Sequence, residues 1–279
     1  MSATKLNQLL FACCLLLSAF CVLTLAQGGT GKLPPVRKLP PPIRNPPRRD
    51  PDPPQIPQDK FALTIDNAML SNGVVTGDIS WRGPAPTRKR VDVSADPACL
   101  LVNPQLTIED PIVRRGKLAN VFVYIKDGTT ADGRKLNDIS FSIPNRQVVV
   151  DQKGCVFIPH VLGIMVGETI TVTNSDATAH NVHFMPKRNT AQNQSHAAGG
   201  PPITHSFTRP EIMVPLRCNQ HPWMRTLVGV LTHPFFSVTG EDGRFEIRDL
   251  PPGKYTLAAW HESGNGTEIT RTITVAANR

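Results

Sequence analysis

From residue 61 onward the chain is a succession of short runs rich in β-branched and aromatic residues, each bounded by Gly, Pro, Asp or Asn. Residues 74–81, 120–125, 147–150 and 169–172 are clear examples. Such runs fit a pleated, half-buried surface, and no stretch in this region places apolar residues at sustained helical spacing. The pattern predicts an all-β sandwich architecture and excludes a helical bundle. With 279 residues, 40% of them hydrophobic, the chain can build one large or two modest domains, and it is neither wholly disordered nor a multi-span membrane protein.

The formal charge of +8 first suggests nucleic acid, but the charge is unevenly spread. Residues 1–60 carry eight Lys/Arg against three Asp, a net +5 that leaves only +3 on the other 219 residues. No nucleic-acid partner is expected from so nearly neutral a body. Lys5 precedes an apolar run over residues 9–25 that closes on Thr24-Leu25-Ala26, the pattern of an export signal spanning 1–26. The run also approaches the ~18 residues that begin to suggest a membrane span, so an uncleaved anchor is the alternative. Residues 27–61 form a basic linker, with eleven prolines between Lys32 and Pro57. Proline fixes φ and lacks an amide donor, so this segment reads as an extended spacer. The expected location is periplasmic or secreted.

The C-terminal region contains the turn Asp242-Gly243, the strand-like Arg244-Phe245-Glu246-Ile247, the turn Pro251-Pro252-Gly253 and an alternating strand up to Trp260. This resembles the closing half of a carboxypeptidase-regulatory-like, prealbumin-type sandwich, a fold shared with carbohydrate-binding-like modules. The strands that open such a module lie about a hundred residues upstream, at 77–83 and 120–125. Residues 62–145 plus 233–279 are therefore expected to form one sandwich interrupted by a second domain over 146–232. Two consecutive domains are the alternative, although the last would hold only about 45 residues, too few for a comfortable core.

The chemistry is concentrated in that second region. Cys218-x2-His221-x2-Met224 places a thiolate, an imidazole and a thioether on one loop, and His180 stands in a separate strand-like His-Asn-Val-His-Phe run. One Cys, two His and a weakly held Met form the ligand set of a blue-copper centre. Cys-x2-His is also a zinc half-site, and Cys218 could instead be half of a disulfide or a thiol nucleophile paired with His221.

Residues 161–231 resemble a cupredoxin of the amicyanin and methylamine-utilisation type, in the His-Asn-Val-His-Phe run, the Cys-x2-His-Pro-aromatic-Met-Arg loop and the apolar strand 227–231. The resemblance implies a Greek-key sandwich holding one type 1 copper ion. His180, Cys218 and His221 would be equatorial ligands, Met224 the axial one, and Asn181 would tie the two ligand loops together. It implies redox partners such as a c-type cytochrome or a dehydrogenase, and an electron carrier rather than an enzyme. The His221 edge is the expected electron exit, within an apolar docking patch of Pro222, Trp223, Met185 and Pro186. His183 is read as sharing the face of His180 and lining the site.

After export, Cys13, Cys14 and Cys21 are lost, leaving Cys99, Cys155 and Cys218. One pair plus one metal thiolate accounts for an odd count in an oxidising compartment, which predicts a Cys99–Cys155 disulfide. His160 is read as structural, and His233 and His261 have no ligand-like spacing. Residues 187–204 read as a disordered insertion or a recognition element. The rival function is a module binding polysaccharide or an envelope surface, for which Trp81, Tyr255 and Trp260 would supply aromatic platforms.

Overall fold

The computed structural model describes residues 60–66, 73–264 and 266–276. The expected signal and nearly all of the proline-rich linker lie outside these residues. Numbered along the chain, β1 (Phe61–Asp66), β2 (Val75–Trp81), β3 (Val113–Arg114), β4 (Lys117–Leu118) and β16 (Arg244–Ile247) form one sheet, in which β1 lies along one edge of β2 and β4 and β16 along the other. A second sheet runs β15 (Phe236–Val238), β5 (Phe122–Thr130), β17 (Gly253–Trp260), β18 (Glu268–Val275). Their facing side chains make a core that includes Phe61, Ile79, Val123, Ile125, Phe245 and Leu257. On β17 the alternation is direct, with Tyr255 and Leu257 buried while Lys254 faces solvent.

Between β5 and β15 the chain builds two more sheets. One is ordered β11 (Gln192–His196), β10 (His180–Phe184), β13 (Glu211–Arg217), β14 (Arg225–Leu231), β8 (Val161–Met165), with β14 and β8 parallel. The other is β12 (Ile203–Ser206), β9 (Thr169–Asn174), β6 (Val148–Gln152), β7 (Phe157–Ile158), with β6 and β9 parallel. Val150, Phe157, Ile164, Val182, Leu216 and Val228 fill the space between them. The fold is thus all-β with sandwiched sheets, as the strand pattern predicts. Residues 187–204, read from sequence as a disordered insertion or a recognition element, hold β11, which adds to β10, and the start of β12, which adds to β9.

β8 and β14 are buried on both faces, which explains their unbroken apolar sequences. Leu162, Ile164, Val228 and Val230 face the core just described, while Val161, Leu227 and Leu231 join Phe122, Tyr124 and Trp260 in a seam. Gly163 and Gly229 are register partners at the centre of this seam. A Cβ on Gly163 would stand 2.4 Å from the Phe236 ring, and one on Gly229 would stand 2.4 Å from the Phe122 ring. The paired glycines therefore form the hollow that admits both aromatics. A buried ion cluster strengthens the join: His160 lies between Glu109 at 2.9 Å and Glu262 at 2.6 Å, and Arg225 meets Glu262 at 2.8 Å.

Among the described residues, one short α-helix and two 3-10 turns, Leu136–Asp138 and Glu262–Gly264, interrupt the β pattern. The segment around residues 88–108 folds back on itself, with the Val91 N–H donating to the Leu106 carbonyl and that of Ile108 to Lys89, both at 2.9 Å. Helix α1 (Pro97–Val102) lies at its tip, and Val93, Cys99 and Leu106 enter the core between the β10 and β9 sheets.

Burial brings His233 down to about 4. Its ring is fully buried beside Phe141, and its Nδ1 accepts the Phe235 N–H at 3.3 Å. Burial also brings His261 down to about 4. Between pH ~6.5 and 4 the unfolded chain binds protons that these folded-state rings refuse, so stability present above ~6.5 is lost on acidification. For His233 alone the loss approaches the order of 3 kcal/mol once the ring is forced to protonate. Thermal unfolding measured across this range should show an acid decline, offset in part by Asp110, which burial raises to about 7 so that it takes up its proton more readily in the folded chain; His233→Asn should make the decline shallower, and an unchanged slope would contradict the assignment.

Candidate metal centre

Strand β10 brings His180 to one end of the sandwich, where Cys218 follows directly on β13 and His221 sits in the turn leading to β14. That turn is closed by two backbone hydrogen bonds, from the Cys218 N–H to the Met224 carbonyl at 3.1 Å and from the Met224 N–H to the His221 carbonyl at 2.9 Å. Chain geometry thus points the loop inward, and His180, Cys218, His221 and Met224 are all buried.

His180 Nδ1 lies 2.9 Å from His221 Nδ1, and Cys218 Sγ lies 4.0 and 3.7 Å from these two nitrogens. Three donors held ~2.0–2.3 Å from a central ion in a trigonal plane stand about 3.5–3.7 Å apart, close to this triangle. The residues therefore fit a small, thiolate-binding metal ion. The Asn181 N–H donates to Cys218 Sγ at 3.2 Å, so Asn181 joins the two ligand segments through its backbone. Its side chain donates instead to Asn193 Oδ1, which also accepts from Asn219. Burial opposes the Cys218 thiolate, but hydrogen bonds from His180, His221 and the Asn181 N–H outweigh it and bring the thiol down to about 6. Burial likewise opposes a charged His180, but Asp176 and Cys218 raise it to about 9. In the metal-free protein the pair is thus a thiolate beside an imidazolium, and binding a metal displaces the proton between the rings.

Both imidazoles turn their other nitrogen to a carboxylate. His180 Nε2 lies 3.0 Å from Asp176 Oδ2, and His221 Nε2 lies 3.0 Å from Asp96 Oδ2. Asp176 is itself held by the N–H groups of Gly154 at 2.6 Å and Cys155 at 2.8 Å. Those amides belong to the turn between β6 and β7, where Gly154 and Cys155 both take positive φ, 67° and 56°. Two successive left-handed residues make the tight hairpin turn and point adjacent amides to one side. Cys155 also forms a disulfide with Cys99 of α1, and Cys99 Sγ lies 3.7 Å from His221 Nε2. Trp223 completes the wall: its Nε1 donates to the Cys155 carbonyl at 2.9 Å and its ring centre lies 5.1 Å from that of His221.

Several expectations need correction. His221 is only 4% exposed, because α1, Asp96 and the disulfide cover the imidazole edge expected to open to solvent. Pro222 is exposed and Trp223 half-buried, but Met185 lies five residues beyond His180 along β10, about 16 Å at strand rise, so Met185 and Pro186 do not join them in one patch. Leu100, Leu101 and Val102 are exposed on α1, the helix whose Cys99 reaches His221, Leu101 at 83%. His183 is three positions from His180, not two, so it occupies the opposite face; its Nδ1 meets Asn219 Oδ1 at 2.9 Å. Asp96 and Asp176 were missed altogether. Asp-Pro before Ala-Cys-Leu-Leu is a helix-start signature, and it was the one available sign of Asp96.

No protein-family model matches the chain, and no curated protein matches it either. Among solved structures it resembles a Cu-containing nitrite reductase from Thermus scotoductus SA-01, at 23% identity and a TM-score of 0.30, over 34% of this chain and 24% of that one. The chain thus spans about a quarter of the reductase. It also resembles a purple cupredoxin from Nitrosopumilus maritimus, at 24% identity and a TM-score of 0.26, over 30% of this chain and 99% of that one. A Cu(I) methionine-to-alanine variant of amicyanin matches at 23% identity and a TM-score of 0.28, over 39% of this chain and 97% of that one. These partial likenesses stand beside the geometry of the centre and add no argument to it.

Proposed function

We propose that the chain is an exported mononuclear blue-copper protein that carries single electrons between redox partners. The observation that carries this reading is the buried triangle of His180 Nδ1, His221 Nδ1 and Cys218 Sγ, with Met224 buried on the same loop. A soft thiolate between two imidazoles, with a thioether in reserve, suits copper in both of its oxidation states. Bound there, copper would supply a one-electron couple between Cu(II) and Cu(I). The chain's own part is to hold the donors rigid: β10 and β13 fix His180 and Cys218, the closed turn fixes His221, and the Asn181 N–H tempers charge on the sulfur. With Met224 as the fourth donor of this reading, no position would remain for a substrate, which favours a carrier over an enzyme. Proteins with complementary redox centres are the partners this reading calls for, a c-type cytochrome or a dehydrogenase among them. Of the aromatics the polysaccharide-binding alternative would use, Tyr255 and Trp260 are buried in the cores and Trp81 is half-buried against one of them.

Titrating the metal-free protein with Cu(II) tests the reading. One equivalent should bind and produce an intense visible thiolate-to-copper band that ascorbate bleaches reversibly. A colourless protein that takes zinc in preference to copper would overturn it.

A further inference from the structure

We infer that Asp96 is a positioning residue of the metal centre, holding His221 in the tautomer that turns Nδ1 toward Cys218 and His180. This deepens the copper reading and rests on it for its functional meaning, although the positioning itself is a property of the metal-free chain.

The case begins with the placement of the carboxylate. Asp96 Oδ1 accepts the N–H groups of Ala98 at 2.8 Å and Cys99 at 3.2 Å, capping α1. Its Oδ2 accepts from Thr178 Oγ1 at 3.0 Å and stands 3.0 Å from His221 Nε2. A group that receives three other donors is an acceptor toward the fourth, so His221 Nε2 carries the hydrogen and Nδ1 keeps its lone pair. That lone pair faces His180 Nδ1 at 2.9 Å and Cys218 Sγ at 3.7 Å. Asp96 is fixed from three sides. The helix it caps is stapled to the β6–β7 turn through Cys99–Cys155, and Thr178 comes from the segment that leads into His180. One carboxylate therefore sets the relation between the His221 loop and the His180 strand, which a surface salt bridge would not do.

Two substitutions separate this role from helix capping. Ser and Asn cap helices about as well as Asp. Asp96→Ser is too short to reach His221. Asp96→Asn has a single oxygen, already engaged by Ala98 and Cys99, and would turn its amide donor toward Nε2. In ¹⁵N-histidine long-range correlation spectra of the metal-free protein, His221 should be protonated at Nε2 in wild type, mixed in Asp96→Ser and shifted toward Nδ1–H in Asp96→Asn. Copper affinity measured against a competing chelator should fall about 10–100-fold in both variants, with the unfolding midpoint of the metal-free protein unchanged. An unaltered tautomer together with affinity within twofold of wild type would overturn the inference. If wild type binds no copper, the copper reading fails, while the tautomer measurement still decides the positioning role.

Discussion

Cys218→Ser is expected to yield a folded protein with no visible thiolate band at any copper concentration. The sulfur is the one donor in the triangle that can give such a band, and its neighbours are arranged around its charge: His180 and His221 flank it and the Asn181 N–H points at it. Serine is nearly isosteric, so the core should tolerate the change, but a hydroxyl in this position stays protonated near neutral pH and binds soft metal poorly. The fall in copper affinity should exceed the roughly 10–100-fold that loss of an outer hydrogen bond brings, because a ligand rather than its support is removed. Absorption and chelator competition read both effects. A band that survives the substitution would place the metal elsewhere and remove the basis for the proposed function.

The second large effect belongs to the disulfide. Replacing Cys99 and Cys155 together by alanine opens a covalent loop with a sequence separation of 56. Loop-closure entropy for that length corresponds to about 4 kcal/mol lost from stability. For a body of this size the melting temperature should fall by roughly 8–16 °C. The local consequence is more specific, because Cys99 anchors α1 over His221. Without the staple, α1 should exchange backbone amide hydrogens faster while the seam strands β8 and β14 remain protected, since these are buried on both faces. A fall of less than 2 °C, or equal acceleration at α1 and β14, would contradict this account.

Much of the structure was legible from residue pattern alone, for identifiable reasons. Period-two alternation and Gly/Pro/Asp boundaries depend on backbone geometry, so strands such as β9 and β17 could be read without knowing their partners. The meeting of Cys218 with His221 was legible because three-residue spacing on a tight loop limits where the side chains can go. The cover over the centre was not legible. Asp96 and His221 are 125 residues apart in sequence, and nothing local to either announces the contact. A short helix capped by Asp and started by Pro looks the same whether it faces solvent or a metal site. The face occupied by His183 needed no structure, only a correct count along the strand. Gly163 and Gly229 carry no local signal either, because the requirement for a missing Cβ comes from aromatic rings more than thirty residues distant.

The seam around those glycines sets how the centre can be presented to the outside. The chain crosses it twice, passing from β5 toward β6 and returning from β14 to β15, and the Phe122 and Phe236 rings lock into the hollow between the crossings. A redox group carried on a single flexible tether can sweep between a donor and an acceptor that never move. This centre has no such freedom: two covalent passages and an interlocked interior bind its orientation to that of the whole body. If the centre carries electrons as proposed, donor and acceptor must each reach this body, because the centre cannot move within it.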